Sequence, residues 1–280
     1  MNWKTCFLPL LLAAVMLGSV TAFADGEPVT PETTEPTEIT SEETAGSWKD
    51  NAYTDNQGIV YEWNENSITV TGTILGFQGG EITIPATIKK GWISYPVTSV
   101  GGRAFYDCDA LEKVTFSGNI DSIGGFAFEN CGALETVTFS GNVGNIESGA
   151  FYDCDDLKNV TFYGNVGSIE YSAFGNCYAL ETVTFSGDVT SIGGFAFRNC
   201  GALENVTFSG NVGNIGDSAF FSCYQLNTVT FYGNVGSIGD SAFADAALEN
   251  VTFSGDVTSI GSYAFANAAL ETVTFPGNVG

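Results

Sequence analysis

The nine residues LEKVTFSGN (Leu111–Asn119) decide the fold, because variants of them recur at a nearly fixed distance to the end of the chain. Between two copies lies a second recurring stretch, first complete as IGGFAF (Ile123–Phe128). Its Ala-Phe phenylalanine returns six times after 23 residues and a seventh time after 22. A period of this length indicates a solenoid, in which each unit buries its apolar face only against its neighbours. These phenylalanines are Phe105, Phe128, Phe151, Phe174, Phe197, Phe220, Phe243 and Phe265.

Each unit predicts one strand and one turn. Apolar and polar residues alternate around Val114 and Phe116, as in a strand that is buried on one side. Strands of successive units would pair in parallel to form one long sheet. The Ile-Gly and Ala-Phe half of the unit predicts a short extended piece and a single helical or 3-10 turn over Ala-Phe-x-x-Cys. We therefore expect an α/β, strand-rich, horseshoe-like solenoid with two stacked columns of phenylalanine in its core.

One slot after each strand carries asparagine or aspartate. A side-chain oxygen there can satisfy backbone groups between coils that would otherwise lack partners. Asp188 and Asp256 keep the acceptor and lose the amide donor. We predict a structural ladder of Asn119, Asn142, Asn165, Asp188, Asn211, Asn234 and Asp256.

Six cysteines share another slot. Adjacent alpha carbons would lie about 5 Å apart, which a disulfide permits, but the side chains would point the same way, which it does not. The slot becomes Ala246 and Ala268 in the last two units, so it favours a small apolar side chain. We expect a buried, reduced packing ladder of Cys108, Cys131, Cys154, Cys177, Cys200 and Cys223.

The two ends differ from the repeats. Residues 1–24 have the basic start, apolar run and Ala-x-Ala site of a secretory signal peptide, and the Thr/Glu/Pro-rich residues 25–47 are typical of a disordered spacer. Residues 48–99 predict a β-rich N-terminal cap, and residues 100–280 the repeats. The C-terminal end has no cap, so Leu270, Val273 and Phe275 are expected to form an open apolar layer that supports self-association or loses order.

The composition excludes several functions. A net charge of −24 with 8 Lys and Arg residues disfavours nucleic acids and anionic membranes as partners. The absence of histidine removes Ser-His-Asp triads, Cys-His pairs and mixed zinc sites. Acidic residues flank two cysteines, and solvated turn charges explain them better than a calcium site does. They are Asp107, Asp109, Asp153, Asp155 and Asp156. We predict neither an enzyme nor a resident cofactor or metal.

The I-G-x-x-A-F-x-x-C-x-x-L core resembles the BspA-like, or Treponema pallidum type, leucine-rich repeats over about 180 residues. The lead-in strands at 68–71, 80–85 and 95–100 are also similar to that family. The resemblance implies a secreted or surface-displayed protein, bacterial in most cases, that adheres to host matrix or to other microbes. Two departures are the absence of a wall-sorting signal after the repeats and a last unit that stops partway.

The outward strand positions are the best candidates for a partner site. The middle position is threonine in every unit, and the position after the strand is mostly serine but becomes Tyr163 and Tyr232. Duplication of a three-unit block explains the spacing of the two tyrosines without any function, yet tyrosine is a favoured interface residue. We expect this concave face to bind an extracellular protein or glycan through Tyr163, Tyr232, Thr138, Thr161, Thr184, Thr207 and Thr230.

Two other functions remain open. The repeats could instead position a catalytic or anchoring module that is missing from this chain. A more distant alternative is an ice-binding or ordered-water surface formed by the Thr-x-Thr grid, against which the asparagines of alternate units count.

Overall fold

The structure is a computed structural model that describes residues 47–49, 51–74, 77, 79–275 and 277–279. The predicted signal peptide and all but the last residue of the predicted spacer lie outside the described residues. The described part consists of strands and turns, and it contains no helix long and apolar enough to cross a membrane.

Twenty-two strands follow one another along the described residues. They are β1 (Ser47–Lys49), β2 (Ala52–Thr54), β3 (Ile59–Asn64), β4 (Ser67–Thr73), β5 (Gly80–Ile84), β6 (Thr87–Lys90), β7 (Ile93–Val100), β8 (Leu111–Phe116), β9 (Ile120–Ile123), β10 (Thr136–Phe139), β11 (Val143–Ile146), β12 (Asn159–Phe162), β13 (Val166–Ile169), β14 (Thr182–Phe185), β15 (Val189–Ile192), β16 (Asn205–Phe208), β17 (Val212–Ile215), β18 (Thr228–Phe231), β19 (Val235–Ile238), β20 (Asn250–Phe253), β21 (Val257–Ile260) and β22 (Thr272–Thr274).

The repeats build two parallel sheets, because each complete coil gives one strand to each of them. The first, which we call the threonine sheet, has the order β22-β20-β18-β16-β14-β12-β10-β8-β5. The second sheet contains β9 and the odd-numbered strands from β11 to β21, and β7 joins it to the N-terminal strands. Equivalent positions stack directly, so Thr138 pairs with Thr115 on one side and with Thr161 on the other. The predicted strand-rich solenoid with a long parallel sheet is confirmed.

The N-terminal strands extend both sheets. The three lead-in stretches expected to be strands form β4, β5 and β7. Strand β5 pairs in parallel with β8, and β7 pairs in parallel with β9. The N-terminal strands therefore form a coil that precedes the first Ala-Phe turn and covers one side of it.

The core contains the two predicted columns of stacked phenylalanine rings. The column from Phe116 to Phe275 has centroid distances of 4.7–5.1 Å, and the column from Phe105 to Phe265 has distances of 4.8–5.5 Å. Rings of the two columns meet edge to face at 6.3–6.5 Å. Both arrangements suit the quadrupole of an aromatic ring. The two columns therefore advance by similar distances per coil.

The predicted helical or 3-10 turn over Ala-Phe-x-x-Cys is wrong. Arg103 and Asp107 in the first turn have positive φ angles of 59° and 55°, and the same two slots are left-handed in every later unit. The Phe105 N–H donates across to the Ala127 carbonyl of the next coil at 2.7 Å, and the equivalent bond recurs up the stack. A helical turn would direct this N–H within its own coil and lose the bond between coils.

The last described coil differs in exposure. Val273 and Phe275 are 40% and 38% exposed, whereas Val251 and Phe253 one coil earlier are 1% and 0% exposed. Their outer side is uncovered within the described residues.

Candidate ligand-binding face

The outer side of the threonine sheet, here called the threonine face, carries the predicted partner-binding residues in straight columns. The parallel register aligns the middle position of every strand, and these threonines are half-buried or exposed. Threonine suits the position because its branched side chain favours strands and its hydroxyl remains available. The column contains Thr83, Thr115, Thr138, Thr161, Thr184, Thr207, Thr230, Thr252 and Thr274.

Thr83 is a member of this column that the sequence analysis missed. It lies in β5 and pairs with Thr115. The signal was present in the stretch Glu81-Ile-Thr-Ile84, which has the same alternation as the repeat strands. The predicted partner-binding column thus extends one coil further toward the N-terminus.

A second column alternates threonine and asparagine beside the first. Some of its hydroxyls already have partners, since the Thr182 Oγ1 donates to the Asn159 Oδ1 at 2.6 Å. The middle column is therefore the more available row of hydroxyl groups on this face.

Tyr163 and Tyr232 stand at the other border of the threonine face, each directly after a buried phenylalanine. Both are 62% exposed, and three coils separate them, which places them about 14 Å apart. Exposure alone does not distinguish them, because Tyr224, in the turn before β18, is 65% exposed. Their position beside a rigid polar sheet gives them the geometry of two anchoring side chains.

A column of glutamates that was not predicted from the sequence borders the face on the side away from the tyrosines. All six are exposed, and stacked coils hold them in one line interrupted by Lys158 and Asn227. Lys158 forms an exposed ion pair of 2.8 Å with Glu135. The remaining carboxylates give this border a negative potential. The glutamates are Glu112, Glu135, Glu181, Glu204, Glu249 and Glu271.

The predicted asparagine and aspartate ladder lies at the turn between the two sheets. Each side-chain Oδ1 accepts a hydrogen bond from the backbone N–H of the next member, as from Asn142 to Asn119 at 2.9 Å and from Asn211 to Asp188 at 2.7 Å. The shared contact needs an acceptor and no donor, which explains why aspartate also occupies the slot. The other links join Asn165 to Asn142, Asp188 to Asn165, Asn234 to Asn211, Asp256 to Asn234 and Asn278 to Asp256.

The cysteine slot is completely buried. Five members are free thiols, and each donates to the carbonyl of an Ala-Phe phenylalanine one coil earlier, at 3.1–3.3 Å. Cys108 is buried as well. The free thiols are Cys131, Cys154, Cys177, Cys200 and Cys223.

We predict that the five free thiols do not react in the folded protein. All five are fully buried, so a reagent in solution cannot reach them. Burial also raises the pKa of the Cys131, Cys177 and Cys200 thiols, and the thiolate is the reactive form. Native protein should give no measurable reaction with dithionitrobenzoate at these five thiols, and protein unfolded in guanidinium should react at all of them. Rapid reaction of the native protein would contradict the ladder.

Two of the acidic turn residues form hydrogen bonds to the next coil. The Asp107 Oδ1 accepts from the Asn130 Nδ2 at 3.0 Å, and the Asp153 Oδ1 accepts from the Asn176 Nδ2 at 2.8 Å. Within the part of the chain that the structure describes, no three Cys, Asp or Glu side chains are grouped so that they could hold a metal ion.

The two-sheet coil, the asparagine ladder and the inward leucine define a leucine-rich repeat solenoid. The model of the BspA type leucine-rich repeat region matches residues 85–200 and 169–280. The chain belongs to this family, which confirms the resemblance read from the sequence.

Two solved structures are similar to this chain. A leucine-rich cell surface protein from Faecalibacterium prausnitzii is 29% identical, with a TM-score of 0.51, and the match covers 79% of this chain and 55% of that one. A leucine-rich repeat protein from Bacteroides ovatus is 21% identical, with a TM-score of 0.50, and the match covers 78% of this chain and 58% of that one. The latter shows the fold alone. This chain thus spans little more than half of either relative, and no curated protein sequence matches it.

Proposed function

We propose that this protein is a non-catalytic adhesion scaffold, secreted or held at the cell surface, whose threonine face binds an extracellular protein or glycan. The observation that carries the proposal is the threonine face itself, a rigid and regular polar surface with two exposed tyrosines on one border. Solenoids of stacked repeats commonly use such extended surfaces for binding. The family membership and the cell-surface relative from Faecalibacterium prausnitzii support the location.

The charge of the face favours a basic partner. Six exposed glutamates line one border, and the whole chain carries a net charge of −24. Complementary charge speeds association and weakens as salt screens it. A partner surface rich in Lys or Arg, with hydroxyl or amide groups that meet the threonines, fits this arrangement.

The double substitution Tyr163→Ser, Tyr232→Ser is expected to weaken binding at least tenfold. Serine occupies the same position in other units, so the fold accommodates the change, while both anchoring rings are lost. Binding would be measured by surface plasmon resonance against extracellular-matrix proteins and by flow cytometry with fixed bacterial cells, each at low and physiological salt.

Tyr224→Ser is the matched control, because Tyr224 is similarly exposed and lies in the turn before β18, outside the strands of the threonine sheet. It should bind like the wild-type protein. Unchanged binding by the double variant, or no salt dependence, would contradict the proposed surface. Failure of the wild-type protein to bind any member of the panel would count against the adhesion function.

A further inference from the structure

A recess opens on the turn face, the side of the solenoid formed by the Ala-Phe turns. It has a volume of about 240 Å³ and reaches from the second Ala-Phe turn to the fifth. This volume lies below the roughly 300–1,000 Å³ of sites for drug-sized molecules, so it suits a small ligand segment. Its main lining residues are Phe126, Glu129, Tyr152, Tyr171, Ser172 and Arg198.

The aromatic rings of the recess are held in place by the coils beside them. Phe126 covers Gly149 so closely that a β-carbon on Gly149 would lie 2.5 Å from its ring. The Tyr152 hydroxyl accepts from the Asn176 Nδ2 at 2.8 Å, and Tyr171 packs edge to face on Phe195 at 5.5 Å. The walls are preformed, which lowers the entropic cost of binding.

The backbone conformation does not require an aromatic side chain at Phe126. Its φ angle is 58°, and the same left-handed slot holds Gly149 and Ser172 in the next two units, although Phe195 and Tyr263 occupy it in later ones. A bulky residue is an outlier in this conformation and costs free energy there. The ring is nevertheless 38% exposed at the mouth of the recess, and Tyr171 is 56% exposed.

Arg198 and Glu129 stand at opposite ends of the recess. Arg198 forms no ion pair or side-chain hydrogen bond within the described residues, and its Nε lacks a partner. Its guanidinium carbon lies 5.4 Å from the centroid of the Phe195 ring, within range of a cation–π contact. Glu129 lies three coils away, about 14 Å along the stack, and partial burial raises its pKa. Arg198 is one of 8 basic residues in a chain with 32 acidic ones, so an unpaired guanidinium here is conspicuous.

We propose that this recess binds a short glycan that carries a carboxylate, such as a chain of uronic acids. The apolar C–H face of a pyranose ring packs on an aromatic face, and its hydroxyls point outward to polar groups. Phe126 and Tyr171 supply the ring faces. The Glu129 carboxylate accepts hydrogen bonds from sugar hydroxyls, and the Ser172 hydroxyl donates or accepts them. Arg198 binds the carboxylate through a bidentate, charge-assisted pair of hydrogen bonds. This site is separate from the threonine face and does not depend on its function.

The test uses isothermal titration calorimetry on the full chain with tri-galacturonate and with its fully methyl-esterified form. The ester keeps the sugar rings and removes the charge. We expect saturable one-to-one binding of tri-galacturonate and at least tenfold weaker binding of the ester. Equal binding of the two would overturn the role of Arg198, and no binding of tri-galacturonate at millimolar concentration would overturn the site.

Substitutions already present in other units test the residues. Arg198→Ala copies Ala266 and should weaken tri-galacturonate binding at least tenfold, and Tyr171→Ser copies Ser148 and should weaken it several-fold. Tyr263→Ser, in the same slot as Phe126 but six coils away, should change nothing. Unchanged binding by Arg198→Ala would contradict the proposal, and the comparison of acid with ester tests it even if a variant misfolds. Binding should also survive Tyr163→Ser, Tyr232→Ser, which separates this site from the threonine face.

Discussion

Phe174→Ala is expected to lower the free energy of unfolding by about 3–5 kcal/mol, the usual cost of removing a buried phenylalanine. The Phe174 side chain is fully buried and stacks on Phe151 at 4.9 Å and on Phe197 at 5.1 Å. The cavity would interrupt one core column in the middle of the stack. Because a solenoid is stabilised mainly by contacts between neighbouring coils, the two halves should then unfold in separate steps. Urea unfolding followed by circular dichroism measures both effects.

Phe265→Ala in the last complete coil provides the control. Its ring is half-buried and contacts Phe243 at 5.5 Å on its inner side, so its loss removes fewer contacts. We expect a clearly smaller destabilisation and a single transition. Equal effects of the two substitutions would contradict a stack held together by contacts between coils.

Gly187→Ala is expected to destabilise the protein by about 2–4 kcal/mol, although it adds one methyl group in a turn. A β-carbon on Gly187 would lie 2.5 Å from the Asn165 Oδ1 and 2.7 Å from the Gly164 carbonyl oxygen. The coils would have to separate there. The bond from the Asp188 N–H to the Asn165 Oδ1, now 2.9 Å, would lengthen or break.

Gly201→Ala is the matched substitution, since a β-carbon on Gly201 meets no atom within 4 Å. Its effect should stay within about 0.5 kcal/mol, as for most surface changes. Thermal unfolding of the two variants by calorimetry gives the comparison. A Gly187→Ala variant as stable as Gly201→Ala would show that the coils are not packed as closely as described.

The period and the alternation sufficed to predict most of the fold. Val114 and Phe116 alternate with polar residues, and the same pattern returns in each unit after a nearly constant number of residues. Equivalent positions of successive strands therefore had to stack in register. The acceptor role of the asparagine slot also followed from the residues, because aspartate replaces asparagine at two of its positions.

The turn was not predictable in the same way. An Ala-Phe-x-x-Cys spacing is compatible with a helical turn, and the residues in the left-handed slots include Phe126, Arg103 and Tyr263, which are poor indicators of that conformation. Hydrogen bonds between coils decide the conformation, as in the contact from Phe105 to Ala127. These bonds exist only in the assembled stack and leave no local signal.

The two candidate sites also differ in how far they could be predicted from the sequence. The threonine face was predictable because it repeats in every unit. The recess around Arg198 was not, since Phe126, Tyr152, Tyr171 and Arg198 come from four different units and occupy three different slots. Their proximity follows from the stacking distance, which the sequence alone does not supply.

Blocking one face at a time tests most directly whether the threonine face is the adhesive surface. The native free thiols are buried, so an introduced surface cysteine can be labelled alone with a large maleimide-polyethylene glycol. Thr184→Cys places the label on the threonine face, and Thr190→Cys places it on the second sheet of the same coil; both positions are exposed. The account predicts that labelled Thr184→Cys loses adhesion to the matrix proteins or cells that bind the wild-type protein, while labelled Thr190→Cys retains it. Adhesion that survives the label at Thr184→Cys, or is lost only with the label at Thr190→Cys, would contradict it.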